Sequence, residues 1–185
     1  MTALLILIFA CVALGIIITF NSLVTLQNAV GHAWKAVLVE LQRRYDLVPN
    51  LVETVKAAAA YEKNTLEAII KARQNAIDSQ YIEDKQTAEQ NFTGAINGLF
   101  ILEENYPQLK SNENFLQLMD ALTETENTIH KARRYYNGCV RDYNNKVESA
   151  PSNIVAAMFS FKKAEYFELQ DRAHAKAPAV NISEE

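Results

Sequence analysis

The sequence predicts an all-α protein with a single N-terminal transmembrane helix, followed by an antiparallel four-helix bundle and a short C-terminal helix. Three observations carry this expectation. Residues 1–20 form an uncharged apolar run, the apolar residues after it recur at steps of three and four, and Gly (5) and Pro (4) are scarce in 185 residues. Few turn formers beside abundant Ala, Leu, Glu, Gln and Lys favour helix over a turn-rich β fold. The boundaries that follow are an anchor over 1–22, the bundle over 23–148, a C-terminal helical segment over 149–172 and a flexible tail over 173–185.

The anchor comes first. No Asp, Glu, Lys or Arg appears before Lys35, although 22% of the chain is charged. A helix rises about 1.5 Å per residue, so roughly 20 residues cross a hydrocarbon layer about 30 Å thick. A cleaved signal peptide would show a basic start, a shorter apolar centre and a small-x-small site. The Ile16-Ile17-Ile18-Thr19-Phe20 end of the run offers no such site. Lys35, Arg43 and Arg44 follow the run and none precedes it. That asymmetry places the N-terminus outside and the bundle in the cytoplasm, at a cell (inner) membrane crossed once.

The bundle helices follow from periodicity. Leu23, Leu26, Val30, Trp34, Val37, Leu41 and Tyr45 form the first seam, and Val52, Val55, Ala59, Leu66, Ile69 and Ile77 the second. Phe92, Ile96, Leu99, Leu102 and Tyr106 form the third. The fourth runs from Phe115 through Leu122, Ile129, Tyr136 and Tyr143 to Val147. Such alternation is the packing seam of bundles. Asp46-Leu47-Val48-Pro49 is taken as the first turn, with an acidic cap and Pro opening a new helix. One kinked helix through Pro49 would keep the seam nearly in register. The sharp turn is preferred because a single rod would reach about 80 Å, longer than any partner helix. Asp78-Ser79-Gln80, then Pro107 to Asn112, then Ser149-Ala150-Pro151-Ser152 mark the later breaks.

After Pro151 the chain is apolar and aromatic with a pair of lysines. One reading is a helix that caps the end of the bundle. The other is an amphipathic foot on a membrane or partner, with Phe159, Phe161, Lys162, Lys163, Tyr166 and Phe167 as contacts.

Chemistry is sparsely signalled. His32, His130 and His174 lack the Glu-x-x-His pairs of a di-iron bundle, and Asp171 with His174 falls in the tail. Glu126 and His130 are better explained as a solvated pair on one helix face, and no metal or cofactor is expected. Gly94 and Gly98 fit close helix packing better than phosphate binding. Cys11 and Cys139 lie in different parts of the chain and imply no disulfide framework. Cys139 falls on the seam, where burial is the default. The basic and aromatic run from Lys131 to Tyr136 resembles a nucleic-acid surface. A net charge of -4 and the seam positions of Tyr136 and Tyr143 argue against that partner. Glu62 and Arg73 stand where the second seam should be apolar. Structural ion pairs are expected there, Glu62 with Arg133 or Arg134 and Arg73 with Glu124 or Asp120.

Three stretches carry a resemblance. Leu41-Gln42-Arg43-Arg44-Tyr45-Asp46-Leu47-Val48-Pro49-Asn50-Leu51-Val52 is similar to the signature of the LemA family. So is Arg133-Arg134-Tyr135-Tyr136-Asn137-Gly138-Cys139-Val140-Arg141-Asp142-Tyr143-Asn144, in which Tyr-Asn recurs after seven residues. The segment from Pro151 to Glu168 resembles the family's closing motif. The resemblance implies a transmembrane helix with a cytoplasmic four-helix bundle, and membrane organisation as a role by analogy. It implies no reaction.

The expected function is a membrane-anchored, non-enzymatic scaffold that organises membrane or membrane proteins. Its expected partners are the lipid bilayer and further copies in a homo-oligomer, with a membrane-protein partner as the further contact. Phe100 and Ile101, beside the third seam, are apolar positions suited to assembly, whereas Gly15 lacks a small partner four residues away. The alternative is an adaptor or regulatory binding module for a partner membrane protein.

Overall fold

The computed structural model describes residues 1–59 and 61–168. The helices are α1 (Thr2–Ala58), α2 (Lys63–Asp78), α3 (Ile82–Asn105), the single turn α4 (Pro107–Lys110), α5 (Glu113–Glu148) and α6 (Ser152–Met158). No strand occurs among the described residues, and the fold is all-α.

α1 corrects the expected hairpin at Asp46–Pro49. It is one helix of 57 residues with Pro49 inside it, about 85 Å long. The first turn falls instead at Ala59–Glu62, where the Glu62 amide donates to the Ala59 carbonyl at 3.1 Å. Proline inside a helix leaves the carbonyl four residues back without its donor. Here that acceptor belongs to Tyr45, and Arg73 Nε on α2 donates to it at 2.7 Å. Length was no obstacle either. The first turns of α1 are exposed, and only the remainder needs a partner. α5, with 36 residues, covers about 54 Å of it.

Contacts fix the directions. Arg73 beside Tyr45 sets α2 antiparallel to α1. Lys85 Nζ donates to the Ala76 carbonyl at 2.7 Å and turns α3 back along α2. Arg44 reaches Glu126, and Trp34 stacks on Tyr136, so α5 descends along α1. α5 starts where Asn112 Oδ1 accepts from the Phe115 amide at 3.1 Å, a side-chain N-cap. A Cβ on Gly98 would lie 3.1 Å from Thr65 Cγ2, so Gly98 does serve close helix packing, whereas Gly94 faces open space. The main core joins Leu41, Tyr45, Val48, Phe92, Leu99, Phe115, Leu122 and Tyr136. A smaller cluster, Leu23, Tyr143, Val155 and Ala156, closes the anchor end.

The C-terminal helical segment expected over 149–172 is corrected to the seven residues of α6. Ser160 adopts φ 58°, and the amides of Phe161 and Ser160 donate to the carbonyls of Ala156 and Ala157. This pair of bonds closes the helix as a Schellman motif with Ser in the place usually held by Gly. Residues 161–168 then carry no helix. The last part of that segment and the tail lie outside the described residues.

Candidate functional site

Charge is buried at the centre of the bundle. Arg44 and Glu89 are fully buried, paired through Arg44 Nη2 and Glu89 Oε2. Arg44 Nη1 donates to Glu126 and, at 3.1 Å, to Thr93 Oγ1. Tyr45 Oη donates to the other Glu89 oxygen. Burial raises the Glu89 carboxyl above the ordinary carboxylate range, against the opposing pull of Arg44, the Tyr45 hydroxyl and Lys85. Burial also lowers the Lys85 ammonium and raises the Tyr45 hydroxyl. Both oxygens of the buried Glu89 carboxylate meet a donor, as a buried charge requires. The arrangement locks helices together and presents no open face to a substrate.

This centre replaces the ion pairs expected at Glu62 and Arg73. Glu62 sits at the far end of the bundle and accepts from Tyr106 Oη at 3.0 Å. Arg73 serves the Tyr45 carbonyl. Arg133 approaches His130 Nδ1 at 3.1 Å, and Arg134 is exposed. The two arginines lie on the anchor side of Glu126, whereas Glu62 follows α1 at its opposite end, so the register separates them. The rule that flagged Glu62 and Arg73 also fits Arg44, three residues after Leu41 and next to Tyr45. Glu89, three before Phe92, meets it too, and both were overlooked.

The repeated Tyr-Asn of α5 is a clamp for the extended segment 161–168. Tyr143 Oη donates to the Lys162 carbonyl at 2.8 Å and Tyr136 Oη to the Glu165 carbonyl at 2.7 Å. Asn144 takes both main-chain groups of Ala164, each at 2.9 Å. Asn137 does the same for Phe167, at 3.1 and 2.9 Å. The spacing has a geometric cause. Seven helical residues rise about 10.5 Å and three extended residues advance about 10 Å, so equivalent groups on helix and strap stay in step. The strap plugs its end with Phe167, fully buried against Trp34 at 5.2 Å between ring centroids. Burial, followed by the charge of Glu165, pushes the Tyr136 hydroxyl up to about 12.

The expected membrane or partner contacts divide accordingly. Phe167 belongs to the core, and Phe161 is half-buried against Phe20 at 5.6 Å. Lys163 pairs with Glu148 at 2.7 Å, which holds its ammonium above the usual lysine value. Lys162 and Tyr166 are exposed along the strap. Phe159 is about half exposed and stacks on Phe20 at 4.7 Å. Ile154 and Met158, more exposed than Phe159, share its end of the molecule and were not anticipated.

α1 itself opens with a window long and apolar enough to cross a membrane, none of it buried within the protein. The sequence profile of the LemA family matches residues 33–182. Magnetosome protein MamQ 2 and magnetosome protein MamQ 1 of Paramagnetospirillum magneticum are each 31% identical to this chain over 93 residues, 50% of this chain and 34% of theirs. Protein LemA of Metamycoplasma hominis is 23% identical over 155 residues, 82% of this chain and 69% of that protein. The chain thus spans about a third of the length of the MamQ relatives it matches. With the bundle from residue 33 onward, the Tyr-Asn rungs and the strap inside the matched region, the chain belongs to the LemA family.

Proposed function

We propose that this protein is a membrane-anchored, non-enzymatic helical scaffold that self-associates and organises membrane or membrane proteins. The observation that carries this reading is the uninterrupted α1. Anchor and bundle are one helix from Thr2 to Ala58, so the bundle's height and orientation are coupled to the membrane without a hinge. The anchor crosses the inner membrane with its N-terminus outside, and Lys35, Arg43 and Arg44 favour a cytoplasmic bundle. The magnetosome names of the MamQ relatives are consistent with a role in membrane organisation. A non-enzymatic reading is supported by the buried charges, which are engaged in joining α1, α3 and α5. Phe100 and Ile101 remain exposed on α3 and offer apolar surface for assembly.

The test is the mass of the full-length protein in detergent and in nanodiscs. A defined oligomer in both supports the scaffold. A monomer in both removes self-association and moves the reading to an adaptor for another membrane protein, to be sought by crosslinking from the exposed Tyr135 on α5.

A further inference from the structure

We propose that α6 is an interfacial foot, seated in the headgroup–acyl boundary of the leaflet from which α1 emerges, with Ile154, Met158 and Phe159 toward lipid. The proposal rests on the reading of α1 as a membrane anchor and adds a second point of attachment to it.

The argument begins with depth. Val155 and Ala156 of α6 are buried with Leu23 and Tyr143 in the anchor-end cluster, and Ile16 and Phe20 of α1 pack against that cluster. Both belong to the uncharged apolar run. If that run fills the hydrocarbon, Ile16 lies about 6 Å inside its edge, one helical turn below Phe20. A helix packed at that level cannot stand clear of the bilayer. The stacking of Phe159 on Phe20, at 4.7 Å, fixes the same height independently.

The sequence of the corner suits that place. From Ser149 to Phe161 no charged side chain occurs, and Glu148 and Lys162 bound the stretch on either side. Its inward face is satisfied by the cluster. Its outward face exposes Ile154 at 63%, Met158 at 61% and Phe159 at 48%. At the same level α1 turns Ile17 and Ile18 outward, more than half exposed. The contact of Phe159 with Phe20 joins the exposed side chains of α6 to the apolar run of α1. Exposed surface of this kind is costly in water and at home in the interface, where amphipathic elements bury about 5–10 Å deep. The buried Ser152 hydroxyl is provided for, its single proton shared between the carbonyls of Lys146 and Ser149, at 2.6 and 2.8 Å. The lysines at 162 and 163 stand where the strap leaves the corner, at the height of lipid headgroups.

The experiment is depth-dependent quenching in the full-length protein, reconstituted in two sets of vesicles of phosphatidylcholine and phosphatidylglycerol. One set is brominated near the headgroup end of the acyl chains to reach the level of α6, and the other near the chain ends to reach Phe9 at the bilayer centre. In a Trp34→Phe background, single tryptophans replace Ile154, Met158, Phe9 in the anchor, or Tyr61 at the far end of the bundle. Circular dichroism checks each variant for helix content, and the series is repeated with Trp34 retained in case its loss unfolds the protein. Brominated lipid should lower emission of Ile154→Trp and Met158→Trp about two-fold or more, with Tyr61→Trp unchanged. Quenching of Phe9→Trp alone overturns the foot and leaves the anchor standing. Absence of quenching at Phe9 as well overturns the anchor reading, and the foot with it.

Discussion

Arg73 completes the hydrogen bonding that Pro49 interrupts. Pro49 lacks the N–H that would reach the Tyr45 carbonyl one turn back, and Arg73 Nε supplies a donor from α2 at 2.7 Å. A charged residue on an apolar seam and a proline within a helix thus explain each other. The pair lets α1 run through a position where the sequence invites a turn, and it ties α2 to α1 at that point.

The pairing predicts a coupled cost. Arg73→Met leaves a part-buried carbonyl unmet and should destabilise the protein by about 1–3 kcal/mol. Pro49→Ala restores a backbone donor for the same carbonyl. Arg73→Met should therefore cost less in the Pro49→Ala background, by about 1 kcal/mol or more. Urea unfolding in detergent micelles, followed by helix ellipticity, measures both. Strictly additive effects would sink the pairing.

Legibility in the sequence followed the range of the interactions. The start of α5 was open to local reading, because Asn112 caps its own helix. So was the turn at Ser79, which follows the last residue of α2. The continuity of α1 was not, since the donor for Tyr45 comes from 28 residues away. The strap was hidden for a similar reason. The Tyr-Asn recurrence was visible as a pattern, but its meaning requires the 161–168 segment lying beside it. Glu62 and Arg73 were flagged as misplaced charges while Arg44 and Glu89, the better buried pair, were not. Periodicity located the anomaly at Glu62 and Arg73, and only packing named Tyr106 and the Tyr45 carbonyl as their partners.

Arg44 and Glu89 should behave as a unit. Both are fully buried, so Glu89→Met strands a guanidinium and should cost about 3–5 kcal/mol. Arg44→Met with Glu89→Met removes both charges and should cost less than Glu89→Met alone. Thermal and urea unfolding of Arg44→Met, Glu89→Met and the double variant decide the matter. A double variant as damaged as the sum of the singles would mean that Glu126 and Tyr45, rather than the pair, dominate the centre.

The clamp predicts a local change in exchange. The amides of Ala164 and Phe167 donate to Asn144 and Asn137, so both should be protected although the segment holds no helix. Asn144→Ala should speed exchange at Ala164, and Asn137→Ala at Phe167, by about ten-fold, the equivalent of one hydrogen bond. Amides within α3 should keep their rates. Mass-spectrometric exchange with peptides covering 161–168 reads the effect. Unprotected amides in the wild type, or equal acceleration throughout the bundle, would refute a clamp.

Alkaline titration tests the same contact through Tyr136. Its hydroxyl is pushed up to about 12 in the fold, by burial and then by Glu165, against about 10 in an unfolded chain. Between those values the unfolded chain gives up a proton that the folded chain keeps. The stabilising contribution is therefore whole below about pH 10 and is lost as pH rises through the folded value. Tyr136→Phe should cost about 0.5–1.5 kcal/mol at neutral pH through its lost bond to the Glu165 carbonyl. It should then lose less stability than the wild type as pH climbs above 10. Tyr45 and Tyr143 are also raised by burial, so the decline should flatten without vanishing. Urea midpoints taken from neutral pH to about pH 11 supply the comparison. Parallel declines would show a tyrosine that titrates as though solvated, and the strap could not then be seated on it.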